Sequence, residues 1–259
     1  MIQNSSYLNW IFAPWEKTKL SAMAELIRPS TILPAERSPI TILTSDGLRL
    51  IGEVATPVSG DRSHAILCFH PRPTHGGMMD SHIFKKAANR LPAMADITVI
   101  RFNTRGTESE QGKSEGEFGN GVSEVADVKA AIDFSFNTLQ VKNLWIVGWS
   151  FGTDLALQYA TDSRIKGLIL LSPPLLTTKV SHLEFWAKDG RPVIALVPEF
   201  DEFLNPKDAE IRFKALPSIN LIAVAGAKHL WVGEPFVHRV LSEIVKYVNP
   251  SKLPLATEY

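Results

Sequence analysis

The chain has 259 residues with 27 basic and 27 acidic side chains, so its formal charge is zero and no overall field draws it to nucleic acid or an anionic membrane. That length suits one large domain with a sizeable core, and a near-zero charge removes the self-repulsion that would oppose a homodimer. The single cysteine, Cys68 in the apolar run HAILCFH, excludes an intrachain disulfide and reads as a buried structural thiol.

The first 37 residues read as an N-terminal extension. Its stretch YLNWIFAPWEKTKLSAMAELIRP carries Tyr7, Trp10, Phe12 and Trp15, and its spacing predicts an amphipathic helix over about 15–28. Such a segment could cover a functional cleft of the main domain, pack behind its sheet or exchange between subunits. The opening residues lack a basic region before their short apolar patch, and no run reaches the length of a membrane-spanning helix. The expectation is a cytoplasmic protein without an integral membrane segment.

The main domain is expected over 38–250, with a tail at 251–259. PITILTS and LIGEVATPV flank the turn residues Asp46 and Gly47 and predict an antiparallel pair. There follow HAILCFH (64–70), ITVIRFN (97–103), NLWIVGW (143–149), IKGLILLS (165–172), RPVIALVP (191–198) and INLIAVAG (219–226). These nearly continuous apolar runs suit parallel strands buried on both faces. Helical patterns separate them at roughly 80–94, 120–138, 151–161, 205–215 and 235–248. The alternation predicts an α/β fold: a mostly parallel central sheet with helices on both faces, joined by right-handed crossovers.

Gly148-Trp149-Ser150-Phe151-Gly152 matches the G-x-S-x-G elbow and falls where a buried strand ends and a helix begins. Ser150 is thereby lifted above the carboxyl edge of the sheet, where open α/β sheets bind ligands. A serine hydroxyl is a poor nucleophile until a base takes its proton. His229, in AVAGAKHLWVG, follows the last predicted strand and so lies on the same edge, whereas His182 and His238 fall in helical patterns. The loop PEFDEFLNP offers Glu199, Asp201 and Glu202 to hold that base. Asp201 is favoured because it lies three residues past Pro198 and five before Pro206, above the sheet; Glu199 and Glu202 stay open as alternatives.

With these residues in this order, the sequence resembles a serine hydrolase of the α/β-hydrolase superfamily over roughly residues 38–250. HPRPTHGGMMD, His70 to Asp80, resembles the His-Pro-x-Pro-x-x-Gly-Gly loop of a group of small bacterial hydrolases, and RFNTRGTESEQG resembles the segment after their next strand. The loop departs from that group in carrying Arg72 where a second histidine is common. An attacked ester carbonyl becomes an oxyanion that N–H donors must hold. Pro71 and Pro73 cannot donate, which leaves the backbone N–H of Arg72 nearest the strand end, with Phe151 as the second donor. The resemblance implies the same pair.

Arg101, Asn103 and Arg105 read as structural ties for loop backbone, and Asp154 as a cap for free N–H groups of its own helix. No H-E-x-x-H, paired C-x-x-C or G-x-x-x-x-G-K motif occurs, and His70, His75 and His82 lack an accompanying ligand set. Neither a metal nor a cofactor is expected. Residues 173–190 are too few for a large lid domain. Their Leu175, Leu176, Phe185 and Trp186, with Trp149 and Trp231, are expected to line an apolar acyl pocket. The expected activity is carboxylesterase-like cleavage of a small-molecule acyl substrate through an acyl-enzyme. A thioesterase, acyltransferase or peptidase would use the same triad, and a non-catalytic binding module on the same fold is the rival from another class.

Overall fold

The computed structural model describes residues 25–259. Its first half runs through strands β1 Glu36–Leu43, β2 Arg49–Thr56 and β3 His64–Phe69, helix α1 His82–Ala95, strand β4 Thr98–Phe102, the short strands β5 Glu108–Ser109 and β6 Gly112–Lys113, and helix α2 Glu124–Asp133. The second half is strictly alternating: β7 Asn143–Trp149, α3 Phe151–Tyr159, β8 Ile165–Leu171, α4 Val180–Asp189, β9 Val193–Phe200, α5 Pro206–Arg212, β10 Asn220–Lys228 and α6 Glu234–Val248.

Eight strands form one sheet in the order β1-β2-β4-β3-β7-β8-β9-β10. Only β1–β2 and β2–β4 pair antiparallel; every other neighbour is parallel. Period-two alternation explains why these strands read as unbroken apolar runs. In β3, Ala65, Leu67 and Phe69 enter one core while Ile66 and Cys68 enter the other. Helices α2 to α5 cover the first face, and α1 and α6 cover the second. Cys68 is buried, and burial pushes its thiol pKa up to about 12, which leaves it inert.

Three features depart from the expectations. The connection at 173–190 contains α4, which packs as the ordinary crossover between β8 and β9: Leu183 and Trp186, one turn apart, are its buried residues, and the Trp186 indole N–H donates to Leu157 O of α3 at 2.9 Å. Residues 108–113, to which the sequence reading assigns no element, form the β5–β6 hairpin. Of the expected N-terminal helix, residues 15–24 lie outside the described residues, and 25–28 are not helical. Instead Glu25 and Tyr259 exchange backbone hydrogen bonds, and the Ile27 N–H donates to Thr257 O. No helix among the described residues is long and apolar enough to cross a membrane.

Candidate active site

Strand β7 delivers Ser150 into a sharp turn that starts α3. Its φ of 52° and ψ of −119° lie outside the regions a non-glycine residue normally adopts, a strain of about 1–3 kcal/mol that only over-determined surroundings maintain. Those surroundings are dense. A Cβ on Gly148 would sit 2.5 Å from Gly152 O, and one on Gly152 would sit 1.9 Å from Phe69 O. Both glycines are therefore required by close approach of α3 to β3 and β7. The Ser150 N–H donates to Leu171 O at 2.9 Å, and its own carbonyl accepts from Thr153 N–H and Oγ1. The turn is pinned on both sides.

His229 follows β10. Its Nε2 lies 2.9 Å from Ser150 Oγ, and its Nδ1 lies 2.9 Å from Asp201 Oδ2 and 3.1 Å from Oδ1. Asp201 is fixed in turn, because its Oδ1 accepts the N–H groups of Phe203 and Leu204 in the loop after β9. An acceptor at Nδ1 selects the tautomer whose bare Nε2 faces the serine hydroxyl. The two other carboxylates of this loop go elsewhere: Glu199 accepts the Gly226 N–H at 2.7 Å, and Glu202 is exposed. The structure therefore brings Ser150, His229 and Asp201 together and leaves Glu199 and Glu202 apart from them.

The loop bearing His229 is held from three directions. Trp149 Nε1 and Ser172 Oγ both donate to the His229 carbonyl, and His82 Nε2–H donates to the carbonyl of Leu230. Phe203 lies 4.6 Å, ring to ring, from the imidazole. Beyond it a cleft of about 360 Å³ opens between Glu202, Lys228, Leu230, Val232 and Phe236.

The loop after β3 starts where Phe69 and His70 meet Gly152 of α3. Buried His70 donates from Nδ1 to Pro71 O at 2.7 Å and accepts the Thr104 N–H at Nε2. Burial lowers its pKa to about 4, so the ring is neutral, as this pair of bonds demands. A trans peptide sets C=O and N–H on opposite sides, so a bond to Pro71 O also fixes the direction of the Arg72 N–H. Gly77 closes over the same carbonyl: a Cβ there would lie 2.1 Å from Pro71 O. No protein acceptor among the described residues takes the Arg72 N–H, and the Phe151 N–H opens α3, where no preceding turn supplies a carbonyl.

The residues expected to line an acyl pocket are mostly placed in other roles. Trp186 is fully buried beneath α3 with Arg191 stacked on its ring at 4.8 Å, and Arg191 in turn holds carbonyls at the far, amino end of β8. Trp231 is fully buried against α1 and α6. Trp149 is buried as the anchor of His229, and Leu175 packs into the core below α3. Phe185 stands half-exposed on α4, edge-on to Trp186. Leu176 is open to solvent. For Trp149 and Trp186 the cause is that an indole can send its N–H to a backbone carbonyl and bury the rest, whereas Trp231 is buried with its Nε1 unpartnered among the described residues.

Asp154 also differs from expectation. Its carboxylate accepts the N–H groups of Leu176, Thr177 and Thr178, so it holds the loop after β8 rather than capping its own helix. Arg101 and Asn103 do tie loop backbone, Arg101 through Met79 O together with Glu53 and Asp80 and Asn103 through the Met79 N–H, whereas the Arg105 guanidinium bonds, among the described residues, only the carboxylates of Asp46 and Asp127. Sequence reasoning missed the positioning role of His70, and it missed Phe118, whose ring lies under the Arg72 guanidinium, and Phe203. The clue for Phe203 lay in its place two residues after Asp201, and for Phe118 in its loop of alternating glycines. Among the described residues no group of His, Cys, Asp and Glu side chains is arranged to hold a metal ion.

A model of the alpha/beta hydrolase fold family matches residues 66–219. An uncharacterized protein of Rickettsia prowazekii (strain Madrid E) is 27% identical over 219 residues, covering 82% of this chain and 87% of that one. Among solved structures, an alpha-beta serine hydrolase homologue from Coxiella burnetii is similar at 25% identity and a TM-score of 0.63, covering 83% of this chain and 96% of its own. A Xanthomonas campestris protein described as a serine hydrolase without lid is similar at 24% identity and a TM-score of 0.64, covering 87% and 99% of the two chains.

Proposed function

Because the chain belongs to the alpha/beta hydrolase fold family, we propose that it is a serine hydrolase that cleaves small carboxylic esters through an acyl-enzyme. The observation that carries this reading is the continuous chain Ser150 Oγ, His229 Nε2, His229 Nδ1, Asp201 Oδ2, each link 2.9 Å between residues. Ser150 Oγ attacks the acyl carbon while His229 Nε2 takes the hydroxyl proton, and the imidazolium that forms is stabilised by Asp201. The carbonyl oxygen, now negative, receives the N–H groups of Phe151 and Arg72, whose directions are set by α3 and by the His70–Pro71 bond. As the tetrahedral adduct collapses, His229 returns the proton to the departing alkoxide and the alcohol leaves. Water repeats the sequence on the acyl-serine: Nε2 takes one of its protons, its oxygen bonds the acyl carbon, and Ser150 leaves with the proton returned.

The direct test is covalent. A fluorophosphonate probe should label Ser150 stoichiometrically, and Ser150→Ala should abolish labelling and lower ester turnover by about 10⁴- to 10⁶-fold. Labelling of another serine, or full turnover by the alanine variant, would remove the assignment.

A further inference from the structure

Arg72 carries two separate sets of donors near the start of α3. Its backbone N–H has been placed above; its side chain has no catalytic task, yet it is held in position. Nε donates to Thr74 Oγ1 at 3.2 Å, Nη2 donates to Asn120 Oδ1 at 2.8 Å, and the guanidinium lies 5.3 Å over the ring of Phe118. Phe118 packs edge-on against Phe151 at 5.4 Å, and Phe151 is the residue after Ser150. One ring-to-ring contact and one cation-to-ring contact thus connect the guanidinium to the start of α3.

The support beneath it is rigid. Asn120 has a left-handed φ of 52° and stands between Gly119 and Gly121, whose N–H groups are both taken by the buried carboxylate of Glu124 at 2.7 and 2.8 Å. The Tyr159 hydroxyl donates to Gly121 O at 2.6 Å. Glu124 therefore spends its oxygens on backbone and orders the loop without pairing with Arg72. Among the described residues no carboxylate pairs with Arg72, whereas Arg101 and Arg105 along the same edge each hold two. Both N–H groups of Nη1 and the second of Nη2 stay uncommitted, and one from each nitrogen makes the fork that a carboxylate accepts in parallel.

We propose that the Arg72 guanidinium is a carboxylate-binding subsite, so that the esters this site prefers carry an anionic group beyond the scissile bond. A cation with no carboxylate partner among the described residues, pre-set by an amide, a hydroxyl and an aromatic face, loses little conformational freedom when it receives such a group. The proposal rests on the serine hydrolase reading, because it places the carboxylate relative to an ester engaged by Ser150. One substrate would then be held by one residue at two points: its carbonyl oxygen by the Arg72 N–H and its carboxylate by the Arg72 side chain.

The test compares matched esters. On the acyl side, the p-nitrophenyl half-ester of adipic acid is set against p-nitrophenyl hexanoate; on the alcohol side, 4-acetoxybenzoate is set against 4-methylphenyl acetate. The anionic ester of at least one pair should have the higher kcat/KM by about ten- to hundredfold, carried mainly in KM and shrinking as salt is raised. Arg72→Met should collapse that ratio towards one, and Arg72→Lys should keep part of it. Asn120→Asp puts a carboxylate against the guanidinium from a residue that tolerates the left-handed backbone, and should lower the ratio about tenfold without touching residue 72. Turnover of neutral esters and labelling of Ser150, with no anionic preference in either pair, would overturn the subsite alone. So would a preference that survives both Arg72→Met and Asn120→Asp. Absence of labelling and of all ester turnover would overturn the hydrolase reading and the subsite with it.

Discussion

The Asp201 carboxylate is oriented before it meets the imidazole, because the Phe203 and Leu204 N–H groups hold one oxygen and so aim the other at His229. Asp201→Asn keeps the volume and the acceptor for those N–H groups but offers an amide to Nδ1, which favours the wrong tautomer. Turnover should fall by roughly 10³- to 10⁴-fold with the melting temperature nearly unchanged. Glu199→Gln retains an oxygen for the Gly226 N–H and should stay within about tenfold of the parent rate. The reverse outcome, with Glu199→Gln inactive and Asp201→Asn active, would move the acid to Glu199. A second prediction at this scale concerns pH. Burial depresses the pKa of His70 to about 4, against about 6.5 for a free histidine. Between these values the unfolded chain binds a proton that the folded chain refuses, so the stabilising contribution is whole above pH 6.5 and is lost as pH falls towards 4. The loss is on the order of 3 kcal/mol. Across pH 6.5 to 4.5, the melting temperature of the parent should therefore drop more steeply than that of His70→Asn; parallel slopes would refute the assignment.

At the scale of elements, the site depends on how closely α3 crosses β3 and β7. Gly152→Ala would drive a methyl group to within 1.9 Å of Phe69 O, a backbone atom at the centre of the sheet that cannot swing away. Relief requires α3 to lift, which would carry the Phe151 N–H away from the oxyanion and weaken Leu155 and Ala156 packing. The expected result is a melting temperature lower by roughly 5–10 °C and a fluorophosphonate labelling rate reduced with it. An alanine variant with parent stability and labelling would show that the crossing has slack. This crossing was legible in the sequence because only glycine permits such contact and because the strand ends one residue before Ser150. Strands β3 and β7, buried on both faces, were legible for a similar reason, since two alternating cores leave few polar positions, whereas β10, equally apolar in sequence, is an edge strand with only Val224 and Ala227 buried. Helix α4 was not, because only Leu183 and Trp186 of it are buried and the same residues serve equally well as a pocket wall. Nor were the roles of Trp149 and Asp154, whose partners are backbone atoms some 80 and 22 to 24 positions away in the chain. Spacing and residue type record which side chains need a partner; they do not record which distant carbonyl or N–H supplies it.

Across the whole molecule, the carboxyl edge of the sheet is bordered by loops and by no covering domain among the described residues. The one helix in the connection after β8 is anchored away from that edge: Trp186 is fully buried, its N–H is bonded to Leu157 O, and Arg191 fixes the following residues at the amino end of β8. Swinging α4 over Ser150 would expose the Trp186 side chain and strand its N–H, at a cost of roughly 3–5 kcal/mol by analogy with truncating a buried tryptophan. At the rim, Leu176, Phe203 and Leu230 are 60%, 54% and 54% exposed, so apolar contact is offered by single side chains rather than by an enclosed tunnel. Such an edge can cover a few methylenes of an acyl chain, each worth about 0.8 kcal/mol when buried, and leaves the remainder in water. Rates on p-nitrophenyl esters should therefore rise from acetate to butyrate or hexanoate and then level off or fall. They should also vary smoothly as substrate concentration passes the micelle threshold, because no lid among the described residues has to be opened by an apolar interface. A jump in rate at that threshold, together with a preference for long chains, would require an element that covers Ser150 in water and withdraws at a lipid surface, and would overturn the open-edge account.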